Sequence, residues 1–172
     1  MKTTKWFKFH ASGPHVFKEH VLRNKKGVKH IDRKAFKKWL ATLPFADSRG
    51  VYVFATGEKK PKPWYVGLTA KNSFKSECGS KEALINKMIQ GASGSPVLFL
   101  LVAPPGWSSK IDAAIDSLET ELMRACHWIN PELLNTNKKI PTWETFIPGV
   151  LRTGAGKPSP AAKALRTALR IS

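Results

Sequence analysis

The chain has 172 residues, with 29 Lys and Arg against 12 Asp and Glu, a net charge of +17 and 42% hydrophobic residues. Such a hydrophobic share excludes a globally disordered chain, and the length suits one domain with short extensions. The longest apolar run, Val97 to Ala103, is far below the roughly 20 residues of a membrane span, and the basic N-terminus lacks the apolar stretch of a secretion signal. No membrane partner is expected, and the expected location is a cytoplasmic or nuclear-type compartment.

Residues 1–30 mix Trp6, Phe7, Phe9 and Phe17 with lysines and with His10, His15, His20 and His30, without a helical or strand period. The histidine spacing forms no metal-ligand pair, so these rings read as surface or nucleic-acid-facing groups. A helix is expected from Asp32, which can cap it, with Phe36, Trp39, Leu40 and Leu43 as its apolar face and Pro44 as its stop. Gly50-Val-Tyr-Val-Phe-Ala and Trp64-Tyr-Val-Gly-Leu read as two strands of a hairpin whose loop carries Lys59, Lys60 and Lys62. Ser80 to Gln90 reads as a helix, and Val97 to Val102 as a buried central strand. Ser108 or Ser109 can cap a long helix over Ile111 to Trp128, with Ile111, Ile115, Leu118, Leu122 and Ala125 as its stripe. A Gly/Pro/Ser segment, Gly154 to Pro160, precedes a short basic helix over Ala161 to Arg170. The order is that of an α/β or α+β fold.

Charge is unevenly spread. Residues 1–40 hold 12 bases and two acids, and residues 138–172 hold seven bases and one acid. Residues 41–137 are nearly balanced, with ten bases and nine acids. A near-neutral centre with basic flanks fits a polyanion binder, because each phosphate contact releases a counterion. The two cysteines, Cys78 and Cys126, form no CxxC motif, which excludes a zinc ribbon or disulfide scaffold and leaves buried reduced thiols. Gly149 to Lys157 is glycine-rich and basic, but Pro158 after Lys157 breaks the spacing of a nucleotide-triphosphate loop.

Three features carry chemistry. Tyr52 and Tyr65 lie on the two strands of one hairpin, so their phenols can meet. A phenol there can donate a hydrogen bond, or act as a base if a cation lowers its pKa from about 10. Asp112, Asp116 and Glu119 fall at i, i+4 and i+7 along one edge of the long helix's apolar stripe. Such a carboxylate can hold a hard cation such as Mg²⁺, whereas a solvated helix face with early acids on the helix dipole explains the same spacing. Lys75, with Lys71 nearby, follows the second strand and could stabilise charge on a phosphate.

In this order, Gly50-Val-Tyr52, Tyr65-Val-Gly67, the segment Lys71 to Glu77, Leu118-Glu119-Thr-Glu-Leu122 and Asn130-Pro-Glu-Leu-Leu-Asn135 resemble the GIY-YIG nuclease family. The resemblance covers about residues 49–136. It implies a small three-stranded sheet flanked by helices, and metal-dependent hydrolysis of a DNA phosphodiester with one Mg²⁺ or Mn²⁺. It implies Tyr52 as the tyrosine near the attacking water, Tyr65 as the one positioning phosphate or water, Glu119 as the metal ligand and Asn135 as a brace. The family's usual Arg falls on Lys75, which keeps the charge but loses the bidentate fork. Its usual His or Tyr one turn on falls on Gly79.

The expected organisation is a basic, aromatic extension over 1–45, a nuclease-like domain over 46–140 and a basic extension over 141–172. Lys59, Lys60, Lys62, Lys71, Arg152 and Lys157 are the expected phosphate contacts. The competing reading is a catalytically silent nucleic-acid-binding module on the same fold. A basic RNA-coating protein accounts for the charge but not for the ordered motifs.

Overall fold

Runs of β-branched and aromatic residues build a four-stranded antiparallel sheet in the order β1-β6-β4-β5. The strands are β1 (His10–Val16), β4 (Gly50–Thr56), β5 (Lys62–Thr69) and β6 (Pro96–Val102). A separate two-stranded ribbon pairs β2 (Val21–Arg23) with β3 (Lys29–Ile31). The helices are α1 (Arg33–Thr42), α2 (Phe74–Gly79), α3 (Glu82–Gly91), α4 (Ser109–Ile129) and α5 (Pro160–Ala168). This computed structural model describes residues 7–106, 108–135, 150 and 158–169.

Side chains alternate across the sheet with the two-residue period of a strand. Val51, Val53, Val66, Phe99 and Leu101 face one way and pack with Ile115, Leu118 and Leu122 of α4 and with Ala162 and Leu165 of α5. Tyr52, Phe54, Leu98 and Leu100 face the other way, onto Phe36 and Leu40 of α1, Phe74 of α2, and Ile85 and Met88 of α3. Both faces are covered, which is why β4 and β6 are buried along their whole lengths rather than on alternate residues.

The expected helix starts follow their capping chemistry. The Asp32 side chain accepts hydrogen bonds from the amides of Lys34 and Ala35, Ser108 accepts from Ile111, and Ser159 from Ala162. Both cysteines are buried and unpaired, as expected. The mixed α/β class holds, but the three-stranded sheet does not. The segment over residues 10–16, with no readable period in the sequence, pairs antiparallel with β6 as a fourth strand. The expected helix over Ser80–Gln90 is preceded by α2, a short helix separated from α3 at Ser80 and Lys81. Among the described residues, no helix is long and apolar enough to cross a membrane.

Two constraints fix the hairpin that carries the tyrosines. Arg49, buried just before β4, donates to the carbonyls of Ala70 and Gly106 and pairs with Asp112 at the start of α4. It ties the ends of three elements together and gives Asp112, one of the acids of the helix edge, a structural partner. Gly50 adopts a positive φ of 150°, and a Cβ there would lie 2.0 Å from the Leu101 carbonyl oxygen. No side chain fits that gap without moving β6. Gly50→Ala is therefore expected to cost about 3 kcal/mol or more, read as a lower urea midpoint at unchanged m-value.

Candidate functional site

The two phenols meet because of strand register. Tyr52 of β4 lies directly opposite Gly67 of β5, and a Cβ on Gly67 would come within 2.4 Å of the Tyr52 ring and hydroxyl and 2.8 Å of the Tyr65 ring. Both rings thus rest over a bare backbone, with centroids 6.0 Å apart and planes tilted by 41°. The glycine of Tyr65-Val-Gly67 is a hole that two tyrosines fill.

Tyr52 is fully buried, and its hydroxyl has no hydrogen-bond partner. The Tyr65 phenol lies close enough to influence it electrostatically without meeting hydrogen-bond geometry. A buried orphan hydroxyl costs on the order of 1–3 kcal/mol and asks for an explanation in function. Burial raises its pKa far above the ordinary value, and Cys78, Tyr65 and Glu77 add to the rise. Tyr65 is half-buried, and burial raises its pKa too. The Lys81 ammonium and the Tyr52 hydroxyl pull the other way, while Glu119 and Glu77 push up. Both phenols are proton donors at neutral pH.

Lys81 is the cation of this site. It forms an ion pair with Glu77 at 2.7 Å, with about a quarter of each side chain exposed. Burial works against its charge, but Glu77, Tyr65 and Cys78 outweigh that and raise its pKa. Glu119 projects from α4 beside β5, half-buried and within electrostatic reach of Tyr65. Asn135 acts like one residue of a further strand. Its side-chain oxygen accepts from the Val66 amide at 3.2 Å and its side-chain nitrogen donates to the Val66 carbonyl. Leu134 donates its amide to the Trp64 carbonyl and Asn130 its side chain to that of Pro63, both at 2.8 Å. The segment over 130–135 so closes the open edge of β5 next to Tyr65.

Tyr52 and Tyr65 therefore meet, Glu119 acts on Tyr65 electrostatically and Asn135 bonds to the Val66 backbone next to it, whereas Lys75 does not join them. Lys75 is exposed on α2 and pairs with Asp47. The sequence reading missed Glu77 and Lys81. Their opposite charges at i, i+4 were the available signal, but the break between α2 and α3 hides it. At Gly79, where the family pattern has a ring, the aliphatic stem of Lys37 from α1 lies 3.3–3.4 Å from where a Cβ would be.

The expected phosphate contacts are scattered. Lys59, Lys60 and Lys62 are exposed at the β4–β5 turn; Lys62 pairs with Glu132 at 3.3 Å and lies over the Trp64 ring. Lys71 lines a cleft with Arg49 beyond the end of β5. Arg152 and Lys157 lie outside the described residues. Among the histidines, His10 packs on Phe45, His15 contacts the Ser12 hydroxyl and His20 packs on Trp39.

Among the described residues, no three His, Cys, Asp or Glu side chains group as a metal cage. A hydrated Mg²⁺ needs no such cage, since it is held by one or two carboxylates and several waters. Glu119 and Glu77 are the carboxylates within electrostatic reach of Tyr65, and Glu77 is paired with Lys81. Compared with known proteins, the chain matches no family model, no curated protein and no solved structure.

Tyr52→Phe removes the orphan hydroxyl and is expected to leave stability unchanged or raise it by about 1 kcal/mol. The variant is also expected to lose less stability in alkali. An unfolded phenol loses its proton near pH 10, while the buried one keeps it, so above about pH 10 the native state binds more protons and stability falls with pH. Urea midpoints measured from pH 8 to 11 check both points.

Proposed function

We propose that the chain is a divalent-metal-dependent endonuclease that hydrolyses DNA phosphodiester bonds at the tyrosine pair. The reading rests on the resemblance to GIY-YIG nucleases. Its strongest single support is the meeting of Tyr52 and Tyr65 over Gly67, with Glu119 of α4 within electrostatic reach of Tyr65 and Asn135 bonded to the neighbouring Val66 backbone. Glu119, with Glu77 within reach, would hold one Mg²⁺ or Mn²⁺, which supplies Lewis-acid stabilisation of charge on the phosphate and leaving oxygen.

The chain's own residues divide the remaining work. Tyr65, protonated and half-exposed, donates a hydrogen bond to a phosphate oxygen or to water. Tyr52, desolvated and protonated, is a second donor behind it, not a base in this state of the protein. Lys81 takes the place assigned by sequence to Lys75. Its ammonium, held by Glu77, is a fixed positive charge beside Tyr65 that opposes charge building on the phosphate. Asn135 is a positioning residue: it fixes the β5 backbone at Val66 and hence the Tyr65 ring.

The exposed, ion-paired Lys75 favours one second reading, a silent nucleic-acid-binding module on this fold. Cleavage of supercoiled plasmid and of branched duplex with Mg²⁺, with Mn²⁺ and with EDTA separates the two. On the nuclease reading, cutting needs metal and is abolished in Glu119→Ala. Lys81→Met lowers the rate on the order of a hundredfold, while Lys75→Met leaves it within a few-fold. Binding without cutting by the wild-type protein establishes the silent module.

A further inference from the structure

We propose that the β2–β3 ribbon carries a seat for the phosphodiester backbone of a nucleic acid, separate from the tyrosine site. The seat is a cleft of about 320 Å³ between the ribbon and the loop before β6, lined by Lys18, Arg23 and Lys29 with Gly94, Ser95 and Pro96. No carboxylate is among its described lining residues. Glu58 reaches the rim, pairing with Lys18 at 3.4 Å, and both side chains are largely exposed.

The arrangement of the cations is the argument. Arg23 and Lys29 are register partners, directly opposite each other on the same face of a two-stranded ribbon. Like charges so placed destabilise a ribbon. Among the described residues neither has an acidic partner: the Arg23 guanidinium donates to the Gly27 carbonyl at 3.0 Å. An anion in the cleft turns that repulsion into attraction. The ribbon is also firmly mounted. Asn86 of α3 accepts the Ile31 amide at 2.7 Å and Gln90 donates to the Lys29 carbonyl at 3.0 Å. At its tip the Asn24 side chain accepts the amides of Lys26 and Val28, presenting Lys25 and Lys26 to solvent. Beyond β3, α1 adds the exposed Lys34, Lys37 and Lys38. The cleft thus belongs to a segment rich in exposed cations that is fixed to α3. A chain of phosphates, not one small anion, matches a surface of that extent.

The inference rests on the nucleic-acid part of the proposed function and not on hydrolysis. The test is binding of a short fluorescent DNA duplex by the full chain across a salt series. Arg23→Gln/Lys29→Gln is compared with Lys110→Gln/Lys163→Gln, which removes equal charge from exposed positions on α4 and α5. Loss of two phosphate contacts makes the slope of log affinity against log salt shallower by about 2, and lowers affinity near 0.1 M salt on the order of fiftyfold. The ribbon variant keeps or raises its melting temperature, since a like-charge pair is gone, and the control variant keeps the wild-type slope. Equal affinity and slope in the two variants overturn the proposal. So does a cleft that takes free anion only: inorganic phosphate would then raise the wild-type melting temperature, but not that of the ribbon variant, while duplex binding stayed equal. All binding is measured in EDTA, so failure of the ribbon proposal is read independently of whether the wild-type protein cuts DNA with Mg²⁺.

Discussion

The contact on which the rest of the site depends is the Tyr52 phenol lying over the bare α-carbon of Gly67. It works only in one register. A slip of one residue between β4 and β5 would turn one strand over, either moving Tyr52 toward α4 and α5 or bringing Val66, in place of Gly67, under α1 and α2. Gly50, pressed against the Leu101 carbonyl, and Arg49, clamped to Ala70, Gly106 and Asp112, hold that register from the end of the hairpin. One glycine thus serves both rings: Tyr52 lies directly opposite Gly67 and Tyr65 beside it, whereas Gly50 is needed for its close approach to the Leu101 carbonyl.

That packing has an electrostatic consequence. Stacking two phenols under a layer of helices removes water from them, and desolvation dominates their titration. The cation near them, Lys81, is itself half-neutralised by Glu77. The local balance therefore keeps protons on both tyrosines and makes donors of them. Glu119 and Glu77 both act on the half-buried Tyr65 phenol and push its pKa up, and Glu77 is at the same time the ion-pair partner of Lys81.

Much of this was legible in the sequence where local signals and packing agree. The β4–β5 hairpin, β6 and α4 follow from β-branched runs, a helical stripe and serine caps, whereas no local signal marks the bonds of Asn135 to Val66, a residue singled out only through the family resemblance. The failures also have physical causes. β1 lacks an alternating pattern because Gly13 and Pro14 interrupt it, and its pairing with β6 is a long-range choice that no local period records. Lys75 matched by counting along the chain, but α2 is only a short helix that turns this side chain to the surface, toward Asp47. The cation that reaches Tyr65 comes from after the helix break. Register counting places strands well because their period is rigid, and places side chains poorly across a helix end, where one residue in a different backbone state rotates everything beyond it.

The N-terminal forty residues show how charge can be read as design when stability alone would oppose it. A fold optimised for stability would not set Arg23 opposite Lys29 in its shortest ribbon, nor line a cleft with three cations and no acid. Such a pair costs the isolated protein free energy, which a bound polyanion would return. The same segment contributes β1 to the main sheet and α1 to the cover over Tyr52, so its folding is coupled to that of the tyrosine site. Destabilising charge and structural integration in one segment are reconciled if the segment both completes the core and meets the nucleic acid. The phosphate chain then neutralises the ribbon while resting on a surface fixed, through Asn86 and Gln90, to the helix that follows Lys81.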